Sequence, residues 1–296
     1  MRNRWFAGMN LLVLTLFSIT ALADVSCECE RSEWIDRKLT CVQGFCVDSG
    51  NPSDVVYHLH GSGGDQNSWF DEGYYPSQIR EYWRNHNLRP PTVVSVTYGK
   101  NWLLASKNSS PASGLFEDFE SRLRPKIEAK LPEPPRRRLI LGESMGAFNG
   151  LQLGLRSAHY DKAAILCAVV GEGLTPFSTD TEVVEQIKTS SAYKYHGEKG
   201  LSLMLESIKG AFVLARQYYP TPEEWAPFDP LHLAEATGSQ TEFYLASGFH
   251  DVFASYEGNA KLAAILARKD LKVDWRPQWG GHCAIDIPSL ARFLVE

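Results

Sequence analysis

The sequence of 296 residues has no internal repeat and no low-complexity linker, so nothing in it marks a boundary between several folded units. It has no surplus of positive charge. Thirty Lys and Arg stand against 35 Asp and Glu, a net charge of -5, and the densest basic run is Arg136, Arg137 and Arg138 ahead of an apolar stretch. Such a balance does not neutralise phosphates, which removes nucleic acid as an expected partner and an anionic membrane as a docking surface. A long apolar run is also missing: the stretch over residues 11–22 falls short of the ~20 residues a bilayer-spanning helix needs. Nor does a small apolar series precede Cys27, where Asp24, Val25 and Ser26 stand, so there is no lipid-attachment pattern and no stable membrane anchor is expected.

What is present begins with a leader. Arg2 and Arg4 give a positive start, residues 11–22 an apolar stretch, and Ala21-Leu22-Ala23 a small-residue cleavage pattern. Residues 1–23 therefore read as a secretory signal peptide and the mature chain as starting at Asp24, secreted or periplasmic. An oxidising compartment permits disulfides. Four of the six cysteines, Cys27, Cys29, Cys41 and Cys46, fall in a Cys-rich segment over residues 24–50. Two disulfides stapling a hairpin or loop are expected there, with three pairings open. A zinc site is the alternative, on the irregular ligand spacing C-x-C then C-x4-C. Cys167, in the apolar run 163–170, and Cys283, directly after His282, read as ordinary buried thiols.

A hydrophobic content of 44% lets the chain bury one substantial core, and one catalytic domain over residues 51–296 is the expectation. From Asp54 onward short β-branched runs alternate with longer helical patterns, the signature of βαβ units and a mostly parallel sheet in an α/β fold. Strands are expected at 55–59, 92–97, 138–141, 163–170, 241–246 and 272–276, and helices at 77–86, 114–130, 147–156 and 255–268. Pro125 requires the second of these helical patterns to end before it or to restart with proline in the first turn. Residues 175–227 carry helical patterns without a strand signal and read as a helical insertion. It either lines a substrate cavity or forms a peripheral excursion.

The chemistry-bearing pattern is Gly142-Glu143-Ser144-Met145-Gly146, a G-x-S-x-G set between an expected strand and an expected helix. That context puts Ser144 on a sharp elbow at a helix N-terminus, whose dipole favours developing negative charge. A serine hydroxyl needs a base, and the base needs an acid to orient it. His282, on the glycine-flanked loop 280–282 after the last strand, is the candidate base. Asp251, after Gly248-Phe249-His250, is the candidate acid; Glu172 and Asp286 are the rivals. Two backbone amides must meet an oxyanion. Met145 supplies one, and Ser62 in His60-Gly61-Ser62-Gly63-Gly64 the other. That glycine loop lacks the Lys of a phosphate loop, and a metal site at His58 and His60 is the weaker reading, so no metal is expected. Trp69, Trp102 and Trp279 are candidates to line an acyl or aryl pocket. Asn108-Ser109-Ser110 matches a glycosylation sequon.

These motifs resemble the esterase family that includes S-formylglutathione hydrolase (esterase D), feruloyl and acetylxylan esterases and the mycobacterial mycolyltransferases. The matching residues run in order from His60-Gly61 and Trp69 through Phe116-Glu117-Asp118-Phe119 to Pro125, then Gly142 to Gly146, Gly248 to Asp251, and Gly281-His282. The resemblance implies an α/β-hydrolase three-layer sandwich, no cofactor, and hydrolysis of a small-molecule or carbohydrate-linked ester by a Ser-His-Asp triad. Acyl transfer to another alcohol, thioester hydrolysis, and a noncatalytic binding protein on the same scaffold are the alternatives. The four-cysteine segment and the long insertion depart from the family pattern and bear on the substrate rather than the chemistry.

Overall fold

The computed structural model describes residues 25–105 and 114–296; the expected signal peptide over residues 1–23 and the sequon at Asn108 lie outside them. Strand β1 (Val25–Ile35) and strand β2 (Lys38–Asp48) form an antiparallel hairpin. Its turn residues Asp36 and Arg37 both have positive φ, 50° and 64°, as the primed turns that match strand twist require. Cys27 stands opposite Cys46 in the register and is bonded to it, and Cys29 is bonded to Cys41. The Cys-rich segment is thus a stapled hairpin, and it continues the main sheet because β2 pairs antiparallel with a central strand, β4 (Pro91–Thr97).

The remaining elements alternate as the sequence pattern indicates. In order they are β3 (Asn51–Leu59), α1 (Tyr75–Asn85), β4, α2 (Leu115–Asp118), α3 (Arg124–Glu128), β5 (Arg137–Glu143), α4 (Met145–Arg156) and β6 (Lys162–Leu166). Then come α5 (Asp180–Thr189), α6 (Ser191–His196), α7 (Glu198–Tyr218), α8 (Pro222–Trp225), α9 (Pro230–Ala236), β7 (Glu242–Gly248), α10 (Tyr256–Arg268), β8 (Val273–Gln278) and α11 (Ile287–Phe293). Pro125 lies in the first turn of α3, where its missing N–H costs little, and a π-helical turn over Phe119–Leu123 precedes it.

The eight strands run in the order β1-β2-β4-β3-β5-β6-β7-β8, with every pair from β4 to β8 parallel. A parallel sheet is covered on both faces, and its side chains divide with a period of two. Val55, Tyr57, Leu59, Ile140, Ile165 and Leu245 enter one apolar cluster with α4 and α10. Their neighbours Val56, Leu139, Leu141, Leu166 and Ala246 enter a second cluster with α1 and α11. The result is a three-layer α/β-hydrolase sandwich. Helices α5 to α8 form the insertion, and Val183, Ile187, Met204 and Ile208 from it form a small apolar cluster with Ala254 of the loop after β7.

Two expectations are corrected. The strand expected over residues 163–170 ends at Leu166, because Cys167 takes a φ of 52° that turns the chain out of the sheet. Cys167 and Cys283 are not thiols: they are bonded to each other, 116 residues apart in sequence.

Candidate active site

Ser144 stands between β5 and α4 with φ 50° and ψ -114°, a conformation that non-glycine residues rarely adopt. It is held by Ser144 N–H donating to Leu166 O at 2.9 Å on the neighbouring strand. Gly146 lets the elbow close, since a Cβ there would lie 1.9 Å from Leu59 O. The side chain therefore projects from the carboxyl end of a central strand, at the N-terminus of α4.

His282 lies on the loop between β8 and α11. Its Nδ1 is 2.8 Å from Asp251 Oδ2 and its Nε2 is 2.9 Å from Ser144 Oγ. A carboxylate accepts, so Nδ1 carries the hydrogen and Nε2 is left to take one from the serine hydroxyl. Asp251 is fully buried on the loop after β7. Its oxygens also accept from the Ser255 hydroxyl and the Phe253 amide, each at 2.9 Å. The Phe253 ring covers the imidazole at a centroid distance of 4.5 Å. The loops carrying Asp251 and His282 meet because Gly248 has no side chain, where a Cβ would fall 2.0 Å from Gly281 O. The rival acids are elsewhere: Glu172 pairs with Lys261 at 3.5 Å, and Asp286 caps α11 by accepting from Ser289. His250 stacks on Tyr195.

The glycine loop after β3 faces the same place. Ser62 on this loop and Met145 at the first position of α4 both border the space beside Ser144. The Ser62 hydroxyl donates to Asn101 Oδ1 at 2.5 Å. Below this loop His60 Nδ1–H donates to the Gly61 carbonyl at 2.7 Å, and its Nε2 accepts the Trp102 indole N–H at 3.2 Å. Burial holds the His60 pKa down, and burial drives that of His58 down to about 3. Both histidines are engaged in packing contacts rather than grouped as metal ligands. Glu143 pins the loop from the other side, accepting from the Gly61 amide at 3.0 Å and from the Tyr74 hydroxyl. Burial raises its pKa.

A sequence profile of the family described as "Putative esterase" matches residues 40–273. The chain belongs to that family. It is a carboxylic ester hydrolase. Among solved structures it is similar to a ferulic acid esterase, with TM-score 0.58 and 14% identity over 92% of this chain and 97% of that one. An S-formylglutathione hydrolase from Agrobacterium tumefaciens gives TM-score 0.56 and 15% identity over 89% and 90%. An esterase from Rhizomucor miehei gives 0.59 and 16% over 92% and 84%. At these identities the likeness is one of fold. A search of the curated proteins gave no significant match.

Next to Ser144 the esterase carries a cleft of about 470 Å³. Its walls are mainly apolar: Met145 and Phe148 from α4, Ala211 and Leu214 from α7, Trp225 from α8, and Phe253. Helices α7 and α8 of the insertion supply part of this wall. The three tryptophans expected in a pocket do not line this cleft. Trp69 is buried in the core behind α1 and donates to Asp48 at 2.8 Å, and Trp102 is buried against His60. Trp279 is 76% exposed beside Tyr195 and Phe249. Trp225, stacked on Phe148 at 5.7 Å, is the tryptophan of the cleft. Cys167, Cys283 and His282 bring ligand-type atoms within 4.8 Å of one another, but the two sulfurs are bonded to each other.

Proposed function

We propose that this esterase is an exported serine hydrolase that cleaves carboxylic esters with an apolar acyl group through an acyl-enzyme on Ser144. The observation that carries the reading is the continuous hydrogen-bonded line Asp251–His282–Ser144, with links of 2.8 and 2.9 Å. Ser144 Oγ attacks the ester carbonyl carbon while His282 Nε2 takes its proton. Asp251 fixes the tautomer and stabilises the imidazolium. Negative charge developing on the carbonyl oxygen is met by the Met145 amide at the N-terminus of α4 and the Ser62 amide on the loop after β3, a contribution of ~10²–10³ per donor in studied proteases. The imidazolium then protonates the departing alkoxide. Water, deprotonated by His282, attacks the acyl-serine, and the same amides serve the second tetrahedral intermediate. The apolar walls of the cleft suit the acyl chain.

Export rests on the leader over residues 1–23 and agrees with three disulfides, which persist in oxidising compartments. No described helix is long and apolar enough to cross a membrane. The test compares mature protein with Ser144→Ala on p-nitrophenyl esters of increasing chain length and with a fluorophosphonate probe. Labelling and turnover should vanish in the variant, a loss of ~10⁶ in kcat. Labelling that survives in a folded Ser144→Ala protein would overturn the assignment.

A further inference from the structure

We propose that the Cys167–Cys283 disulfide is a positioning device for the base, so that only the oxidised protein holds His282 in line between Ser144 and Asp251. This rests on the assignment of His282 given above. Cys283 follows His282 directly, in a stretch between β8 and α11 that has no regular structure and carries Gly280 and Gly281 just before the histidine. Few backbone bonds restrain it: Gly280 O accepts from His250 N–H at 3.1 Å, and Gly281 O accepts from Ala284 N–H at 3.3 Å. A glycine-rich loop of this kind has much freedom to lose, and a side chain mounted on it gains orientation from any covalent anchor.

The other end of the disulfide is fixed in the frame of the nucleophile. Cys167 follows β6 and is 1% exposed. Its amide donates to Ala246 O at 2.7 Å, and the carbonyl just before it, Leu166 O, accepts from Ser144 N–H at 2.9 Å. A short path therefore runs from the Ser144 amide through Leu166, Cys167 and Cys283 to His282. A ring nitrogen of His282 lies within 4.8 Å of both sulfurs. Both half-cystines hold φ values of 52° and 57°, in the left-handed region that favours glycine. The chain keeps an unfavourable backbone at each end of this one bridge. The hairpin disulfides differ, because they join strands already paired in register at the far edge of the sheet.

Opening the bridge takes two electrons and two protons from a dithiol, which leaves as its own cyclic disulfide; Cys167 and Cys283 become thiols. The imidazole then loses its fixed approach to both partners. In Cys167→Ala/Cys283→Ala, kcat should fall at least tenfold with KM within twofold.

The experiment compares that double variant with Cys27→Ala/Cys46→Ala, following kcat, KM, fluorophosphonate labelling and thermal melting. A chelator is present throughout, because the same cluster could otherwise hold a metal once reduced. Loss of kcat in a cooperatively melting Cys167/Cys283 variant, with the hairpin variant active, is the result expected. A folded Cys167/Cys283 variant with kcat and KM both within twofold of wild type overturns the proposal. Should that variant not fold, wild-type protein is treated with rising dithiol until the bridge opens, and the thiols are mapped by alkylation and mass spectrometry. Activity that falls with opening of Cys167–Cys283 and returns on reoxidation supports the tether; full activity with that bridge open overturns it. Turnover persisting in Ser144→Ala strikes instead at the triad assignment, so the two failures are distinguishable.

Discussion

Acidification should weaken this esterase well before most of its carboxylates titrate, and His58 supplies the reason. His58 is fully buried in β3, with Nδ1 2.9 Å from the Ser95 hydroxyl and Nε2 3.1 Å from that of Tyr75. Burial first, and the neighbouring His60 second, lower its pKa from 6.5 to about 3. Between those values the unfolded chain binds a proton that the folded chain refuses. Stability therefore rises with pH across this window and is lost as pH falls below 6.5, by ~1.4 kcal/mol per unit. At pH 5 the loss is about 2 kcal/mol, or roughly 4–8 °C in melting temperature for a domain of this size. His60 is lowered in the same direction and steepens the slope. Glu128 acts in a different window: burial opposes ionisation, but hydrogen bonds from Arg138 and Tyr57 prevail and lower its pKa below 4.5. Its stabilisation is full above that value and lost only as pH falls through the lower folded one. Melting temperatures at pH 7, 6 and 5 at fixed ionic strength, for wild type and His58→Gln, test this. The variant should start less stable and lose less on acidification. A flat wild-type profile, or one equally steep in the variant, refutes the reasoning.

Two further substitutions probe the site itself. Asp251→Asn leaves a side chain of the same shape that can donate to His282 Nδ1 and so favours the wrong tautomer; kcat should fall by ~10⁴ with KM nearly unchanged, and a loss under tenfold in saturating ester would refute the acid role. Ala211→Trp places an indole in the cleft of about 470 Å³. If it excludes two methylenes of a long acyl chain, at ~0.8 kcal/mol each, kcat/KM for p-nitrophenyl octanoate should drop about tenfold while the acetate stays within threefold. Equal losses on both esters would place the acyl chain outside this cleft.

The parallel strands and the residues brought together at the site were legible because each has a local signature. Alternating β-branched runs mark the strands, and glycines surround Ser144, Asp251 and His282 where loops must pass close to one another. What was not legible depends on distance in space. Strand β1 is mostly exposed and polar, so its cysteines stood out while its pairing with β2 did not. Cys167 looks like any apolar-strand cysteine until β6, β7 and the loop after β8 bring it against Cys283. The even cysteine count was the available signal. Tryptophan carries no local mark of pocket or core: Trp69 and Trp102 fill the interior, while Trp225, inside an insertion read only as helical, reaches the cleft.

The arrangement also explains why residues so far apart in sequence can form one site. Ser144 and His282 are separated by 138 positions and Asp251 and His282 by 31, yet all three follow the carboxyl ends of parallel strands. Parallel pairing puts those ends on one side of the sheet, where the connecting loops converge. The order β5-β6-β7-β8 sets Ser144 two strands from Asp251 and three from His282, with β6 in the gap. His282, arriving from beyond β7, has to reach back across that gap to Ser144. The gap is crossed twice, once by the Asp251–His282–Ser144 hydrogen bonds and once, covalently, from the end of β6 to the residue after His282. Hydrogen bonds alone can exchange with water when a loop opens; a bond in the same span keeps the loop's return path short. The chain order of Ser144, Asp251 and His282 thus follows the strand order, and the proposed tether spans the distance that order leaves to be closed.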